Sequence, residues 1–316
     1  MKFESQVRRS IQELDDERLK IVESRSKLTP WLFAIPIVTL VTSFLVAQNP
    51  IASLIATVLS LVVAGITYSA KVGSPFKKLH QDLRGILLDH FMEEHHPDIR
   101  FSYYPNKQSA REIIRNSGLI HADFYKEEDV IIGSTDKSSF YLSEIKLQKE
   151  TGTRKNRRKT TVFKGLLFRI KLKNKNFPDA QIESQHGFLS QIFSSFIENE
   201  KYGFWYDTNN PEAFDKQLEP LFPFIKYLIE RQGDVRIRTF RDEIILMLES
   251  DMKFLDEPDP SLNDSFLNKE YYQNMGKQLN SLLFIIESFV NDLSTKEIED
   301  RLELKAIEVI ENKMKR

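Results

Sequence analysis

The chain has 316 residues, 29% of them charged and 41% hydrophobic, and its 45 Lys and Arg against 46 Asp and Glu leave a net charge of -1. That balance excludes a polyanion binder of the bulk-basic kind, so no nucleic-acid partner is expected. The chain has no cysteine, which excludes disulfides, thiolate metal sites and a cysteine nucleophile.

Residues 1–28 are rich in charge and unlike a secretory segment, whose apolar core lies near its start. Val7, Ile11, Leu14 and Ile21 recur at helical spacing, interrupted by Arg18. They predict an amphipathic or coiled-coil helix that faces either a partner helix or solvent.

Trp31–Gln48 and Ile51–Tyr68 then form two runs without a single charged residue, separated by Gln48-Asn49-Pro50. Each run, as helix, is roughly 27 Å long, close to the ~30 Å of bilayer hydrocarbon. A transmembrane hairpin is expected over 29–70. Arg25 and Lys27 precede it and Lys71, Lys77 and Lys78 follow it, while the loop between the runs is uncharged. The positive-inside rule then puts both termini in the cytoplasm of a bacterial inner membrane. Pro36 predicts a kink in the first span. In the second, Ala52, Ala56, Ser60 and Ala64 form a small-residue ridge for close helix packing, on the first span or on another copy in a homo-oligomer.

Ser74-Pro75 reads as the start of a new helix over Phe76–Phe91, ended by His95-His96-Pro97, with a second short helix around Gln108–Asn116 closed by Gly118. These make up a juxtamembrane region, 71–117. From 118 to 260 the period changes to that of an α+β domain. Leu119–Tyr125, Val130–Ser134, Ser138–Leu147, Thr161–Leu172 and Ala180–Ser184 read as strands. In the fourth, Val162, Leu166, Phe168, Ile170 and Leu172 are expected to share one face. Its hairpin with Ser138–Leu147 has a tip carrying Arg154, Lys155, Arg157, Arg158 and Lys159, a local positive excess in a neutral chain.

A helix around Gly187–Asn199, a strand Phe204-Trp205-Tyr206, a proline-disturbed helix from Asn210-Pro211 to Arg231 and a hairpin of Val235–Phe240 with Ile244–Glu249 complete the domain. Pro258–Pro260 reads as a loop. The C-terminal region, 261–316, is predicted as an amphipathic helix through Leu279, Leu283, Ile286 and Val290, then a last helix opened by a Ser294/Glu297 capping box.

Tyr125-Lys126-Glu127-Glu128-Asp129, Gly133, Ser143-Glu144 and Phe163-Lys164-Gly165-Leu166-Leu167-Phe168 together resemble the bacterial family of unknown function numbered 3137. The resemblance covers roughly residues 30–290 and implies a hydrophobic hairpin, an acidic strand turn and an α+β domain. At Glu127 the family is expected to favour glycine. It brings no activity, so no catalytic residue is carried over.

His90, Glu93, Glu94, His95 and His96 place metal-ligating types on one helix end, but their spacing matches no ligand motif, and no metal or cofactor is expected. Glu127, Glu128, Asp129 and Glu144 offer carboxylates for a hard cation or for acid–base work; solvated turn acids look the same. No phosphate-cradling loop or nucleophile elbow occurs. The chain is therefore expected to be no enzyme but a membrane-anchored binding module, a scaffold, adaptor or sensor, whose basic tip meets anionic lipid or an acidic protein. The competing class is a membrane-bound enzyme with a site assembled from dispersed acids or histidines.

Overall fold

The computed structural model describes residues 2–47, 49–105, 107–152, 156–184, 195–232, 234–250, 261–290 and 300. It is an α+β protein with a long N-terminal pair of apolar helices and an antiparallel sheet. The chain divides into two units, Met1–Phe91 with Pro258–Met275, and Met92–Glu257 with Gly276–Arg316. Arg154, Lys155, most of the expected helix Gly187–Asn199, the loop Pro258–Pro260 and the last helix from Ser294 lie outside the described residues.

In the first unit, helix α1 (Lys2–Ala47) runs without a break from the charged tail through the first apolar run. Asn49 then caps helix α2 (Pro50–Tyr68), its Oδ1 accepting from the N–H of Ile51 at 2.9 Å and of Ala52 at 3.3 Å. Proline at the first helical position needs no partner for the N–H it lacks.

Helix α3 (Ser74–His95) is not the separate helix that Ser74-Pro75 suggests. A π-helical turn, Ser69–Gly73, joins it to α2, and Pro50–His95 is one helical rod of 46 residues. The wide turn ends where Pro75 has no N–H to give to the previous turn, so the helix absorbs the proline there.

The two apolar runs pack on each other by narrow faces. On α1 these are Leu32, Pro36, Thr39 and Ser43; on α2, Ser53, Ala56, Thr57, Ser60, Ala64 and Thr67. Ser53 is 1% exposed. Ala56, Ser60 and Ala64 of the small-residue ridge thus lie on the side nearer α1, whereas Ala52 is exposed. Side-chain hydroxyls return to the helix's own carbonyls, as Thr57 does to Ser53 and Thr67 to Val63, both at 2.8 Å. The large residues point the other way, with Phe33 70% and Val46 86% exposed.

Beyond the apolar band the same helices are polar, and another interaction holds α1. Arg18, which breaks the apolar stripe in the sequence, is 5% exposed and Asp15 6%. They pair at 2.8 Å, Arg18 Nη1 donates to the Leu262 carbonyl at 2.8 Å, and the Phe266 N–H donates to Asp15 at 2.8 Å. The Phe266 ring stacks on Phe76 at 6.4 Å and meets His80 edge-on at 5.6 Å. The N-terminal helix is thereby clasped by a segment some 250 residues later.

Among the described residues the second unit is built on nine strands: β1 (Arg100–Tyr104), β2 (Phe124–Ser134), β3 (Ser138–Thr151), β4 (Arg158–Leu172), β5 (Phe177–Glu183), β6 (Ile197–Asn199), β7 (Phe204–Thr208), β8 (Val235–Arg241) and β9 (Glu243–Glu249). Their order is β1-β2-β3-β4-β9-β8-β5-β7-β6, all antiparallel, so the β8–β9 hairpin is inserted between β4 and β5. Strand β1 has no counterpart in the sequence reading. Residues 195–196 are irregular and 197–199 extended, where a helix is expected.

The expected strands Leu119–Tyr125 and Val130–Ser134 are one strand from Phe124, and the acidic run between them is a bulge rather than a turn. Asp129 takes φ 50° there, is 6% exposed, and receives the Tyr103 hydroxyl at 2.5 Å. A strand that bulges keeps its pairing on either side.

The cover of the sheet changes face along β4. Its first half buries Phe163 and Leu167 in a cluster with helix α4 (Ala110–Ser117), and its second half buries Phe168, Ile170 and Leu172. Val162 and Leu166 are only partly covered, so the single face expected from the sequence is two half-faces. Helices α5 (Pro211–Leu218) and α6 (Phe222–Gln232), joined by a 3-10 turn at Glu219–Leu221, supply Phe214, Phe222 and Phe224. Phe224 meets Phe284 and Phe289 of helix α7 (Lys269–Val290) edge-on at 5.8 and 5.6 Å. Two glycines are forced by contact: a Cβ at Gly165 would overlap the Leu248 carbonyl, and one at Gly133 the Phe140 ring.

Burial works to raise the Asp15 pKa, but the bonds from Arg18, the Phe266 N–H and Ser265 outweigh it and hold the carboxyl below its ordinary range. The clasp's electrostatic contribution is therefore whole above the ordinary aspartate pKa and is lost as pH falls through the lowered one. Arg18→Ala strands Asp15 without its counter-charge and should cost about 3–5 kcal/mol, read as a lower unfolding temperature of the full-length protein in mild detergent. Glu23→Ala removes only the exposed pair with Lys27, and should leave that temperature unchanged. Equal effects would show that burial of the Asp15–Arg18 pair is not what matters.

Candidate functional site

The long β3–β4 hairpin is paired in register from Ser138↔Leu172 to Thr151↔Arg158, with a bulge at Leu147/Gln148. It projects the basic tip predicted from the sequence, of which Arg157, Arg158 and Lys159 are described. Arg157 pairs with Glu150 at 3.5 Å, an exposed contact worth little. The Lys159 ammonium lies 3.7 Å from the centroid of Phe124, which is 37% exposed. Among the described residues Arg158 has no acidic partner. The local surplus of positive charge thus persists in the fold.

Elsewhere on the sheet, four cations are matched. Arg169 binds Glu243 through two bonds of 3.1 and 2.6 Å, and Lys171 reaches the same carboxylate at 2.6 Å. Arg236 holds Asp234 at 3.0 and 2.7 Å, and Arg238 reaches Asp179 at 2.5 Å. Sequence reasoning missed this network. Its local signals are the alternation Val235-Arg236-Ile237-Arg238 and Arg169-Ile170-Lys171, which marks a polar sheet face, and Asp234 two residues before Arg236; the partners of Arg169, Lys171 and Arg238 are distant in sequence.

The four carboxylates are not brought together. Glu128 and Glu144 are register partners on one face, Glu128 also pairing with Lys126 at 3.0 Å. Asp129 belongs to Tyr103. Glu127 points to the other side, where Oε2 accepts from the N–H groups of Ser109 at 2.7 Å and Ala110 at 3.1 Å, and Oε1 from the Tyr141 hydroxyl. It caps α4 from another strand, since Ser109 makes no side-chain cap of its own. Burial raises the Glu127 carboxyl above the ordinary glutamate range, although the Ala110 and Ser109 N–H groups pull it down.

The histidine-rich helix end is likewise divided. His90 stacks on Tyr272 at 5.7 Å, and His96 Nε2 meets Asn280 Oδ1 at 3.0 Å. Among the described residues no group of three His, Cys, Asp or Glu is placed to hold a metal ion.

These elements define the class: an α+β protein whose N-terminal helices are long and apolar enough to cross a membrane. No family model matches the chain, and no curated protein matches it. Among solved structures it is similar to the mycobacterial trehalose monomycolate transport factor A, TtfA, at 7% identity, over 63% of this chain and 94% of that one, with a TM-score of 0.31. A likeness at that score carries no argument about fold or function.

Because the folded pKa of Glu127 is raised, its contribution to stability is present at acid pH and is lost as pH rises through that pKa. Glu127→Gln keeps an acceptor for the α4 N–H groups and should remove this loss, so the variant melts no lower than the parent at neutral pH. Glu127→Ala removes the cap and should cost about 1 kcal/mol at any pH. Thermal melts across the acid-to-neutral range check both; a parent melting curve independent of pH over that range would sink the assignment.

Proposed function

We propose that the chain is a membrane-anchored binding module. Its helix pair spans a bacterial inner membrane with both termini cytoplasmic, and its sheet domain works by binding an anionic surface at the β3–β4 tip. The exposed apolar band from Trp31 to Ile66 supports the anchor. Leaving such a row of large side chains in water costs on the order of tens of kcal/mol, whereas lipid accepts them. The self-satisfied hydroxyls and capped helix start along the band meet the demand of a medium without water.

The tip cations left without an acid among the described residues, Arg158 and Lys159, support the binding role, because a fold gains nothing from crowding like charges. Anionic headgroups and acidic polypeptides share the chemistry that Arg154, Lys155, Arg157, Arg158 and Lys159 recognise. Near an anionic leaflet each cation contributes about 1 kcal/mol.

Reporters fused at residues 2 and 316 should both be cytoplasmic, and the protein should resist carbonate extraction; a periplasmic C-terminus refutes the topology, and release by carbonate refutes the anchor. Changing all five tip residues to Ser tests the module. With full-length protein in vesicles, amine-labelling of Lys159 should fall as anionic lipid is added and recover in ~1 M salt, where the Debye length is about 3 Å. If lipid has no effect but the Ser variant loses an acidic partner from solubilised membranes, the partner is a protein. If neither changes, the tip binds nothing.

A further inference from the structure

Between the two apolar helices lies a groove of about 340 Å³, and the residues around it favour one occupant. Leu28, Leu32 and Ile35 of α1 line one side; Ser60, Ala64 and Thr67 of α2 line the other. The groove exists because Ser60 and Ala64 are too small to fill the space that larger neighbours occupy elsewhere. Its hydroxyls are spent within the helix, Ser60 on the Thr57 carbonyl and Thr67 on that of Val63, each at 2.8 Å. What remains is an apolar slot open to the side.

A cation stands about one turn beyond the lining on each helix. Arg25 continues the Leu28–Leu32–Ile35 stripe one turn toward the charged tail and is half-buried. Lys71 stands one turn beyond Thr67, in the π-helical segment. Lys27 next to Arg25 is taken up by Glu23 at 2.6 Å, but among the described residues neither Arg25 nor Lys71 has an acidic partner. An apolar slot with a cation one turn beyond each wall, neither paired to an acid among the described residues, matches an amphiphile with an apolar tail and an anionic head.

We propose that this groove holds one acyl chain of an anionic phospholipid, with the phosphate between Arg25 and Lys71. A second copy of the chain fits less well. Its own apolar segment could fill the slot, but it would bring Arg25 and Lys71 toward their like and supply no anion. The proposal rests on the bilayer reading, and so its test separates the two.

The full-length protein is reconstituted in vesicles containing a phosphatidylglycerol with a photoactivatable acyl chain. Cross-links should concentrate in the peptides that carry Leu28–Ile35 and Ser60–Thr67. Ala64→Phe, which fills the slot, should abolish that concentration, while Leu54→Phe on the outer face leaves it unchanged. Arg25→Gln with Lys71→Gln, which leaves the apolar packing intact, should lower it by roughly tenfold for a phosphatidylglycerol probe. Labelling spread evenly around the hairpin and indifferent to these changes, in protein that still resists carbonate extraction, overturns the groove and leaves the anchor standing. Release by carbonate removes both. Because the chain has no native cysteine, single cysteines placed at Leu32 and at Ala64 report a rival occupant; disulfides between two copies there would assign the groove to a homodimer.

Discussion

The exposed apolar band between Trp31 and Ile66 constrains the first unit more than any single bond does. Two helices side by side cover only the faces they turn to each other, and here those faces are the small and hydroxylated ones. Large residues on the outside and small ones between the helices invert the order of a water-soluble helical pair, where burying the largest side chains provides the stability. The backbone follows the same constraint: Asn49 and Pro50 begin α2 without spending water, and each bonded hydroxyl returns to a carbonyl of its own helix. The polar extensions of the same helices are continuous with this band, since the π-helical turn carries α2 into α3 rather than ending it.

Where the helices become polar, close packing of small residues gives way to a few long-range contacts. Asp15 and Arg18 lie on the inner side of α1, fixed by the Leu262 carbonyl and the Phe266 N–H. Neither charge is stabilised by its own helix alone, because a buried pair needs its remaining donors and acceptors met. The carbonyl and the amide come from 262–266, so this part of α1 is specified by a late segment of the chain. The aromatic contacts of Phe266 with Phe76 and His80, and of Tyr272 with His90 and Phe91, extend the same arrangement along α3.

This distribution explains what was readable in the sequence. The apolar runs, the Asn49-Pro50 break, the β3–β4 and β8–β9 hairpins and the Gly118 closure of α4 are local properties, set by residues within a few positions of each other. Arg18 was misread as an interruption because the group that accepts its bond lies 244 residues away. The acidic run 127–129 was misread as a turn for a related reason: the Tyr103 and Pro105 groups that let Asp129 bulge lie in β1, a strand with no strong pattern of its own, and just after it. The face of β4 was misassigned because its cover changes from α4 to the opposite side midway. Alternation in one strand reports which residues share a face, but not which half of that face is covered.

The same distinction bears on the charges. Arg169, Lys171 and Arg238 look in the sequence like ordinary cations of alternating strands, and only the register brings Glu243 and Asp179 to them. Glu127 looks like one acid among several, and only the fold makes it the cap of α4. In both cases the tertiary structure absorbs a charge that a linear reading leaves free. At the β3–β4 tip, among the described residues, it does not do so for Arg158, and Glu150 gives Arg157 only an exposed contact. A chain of net charge -1 that pairs Arg169, Lys171 and Arg238 across its strands leaves Arg158 exposed near the hairpin end, where pairing contributes least to the fold.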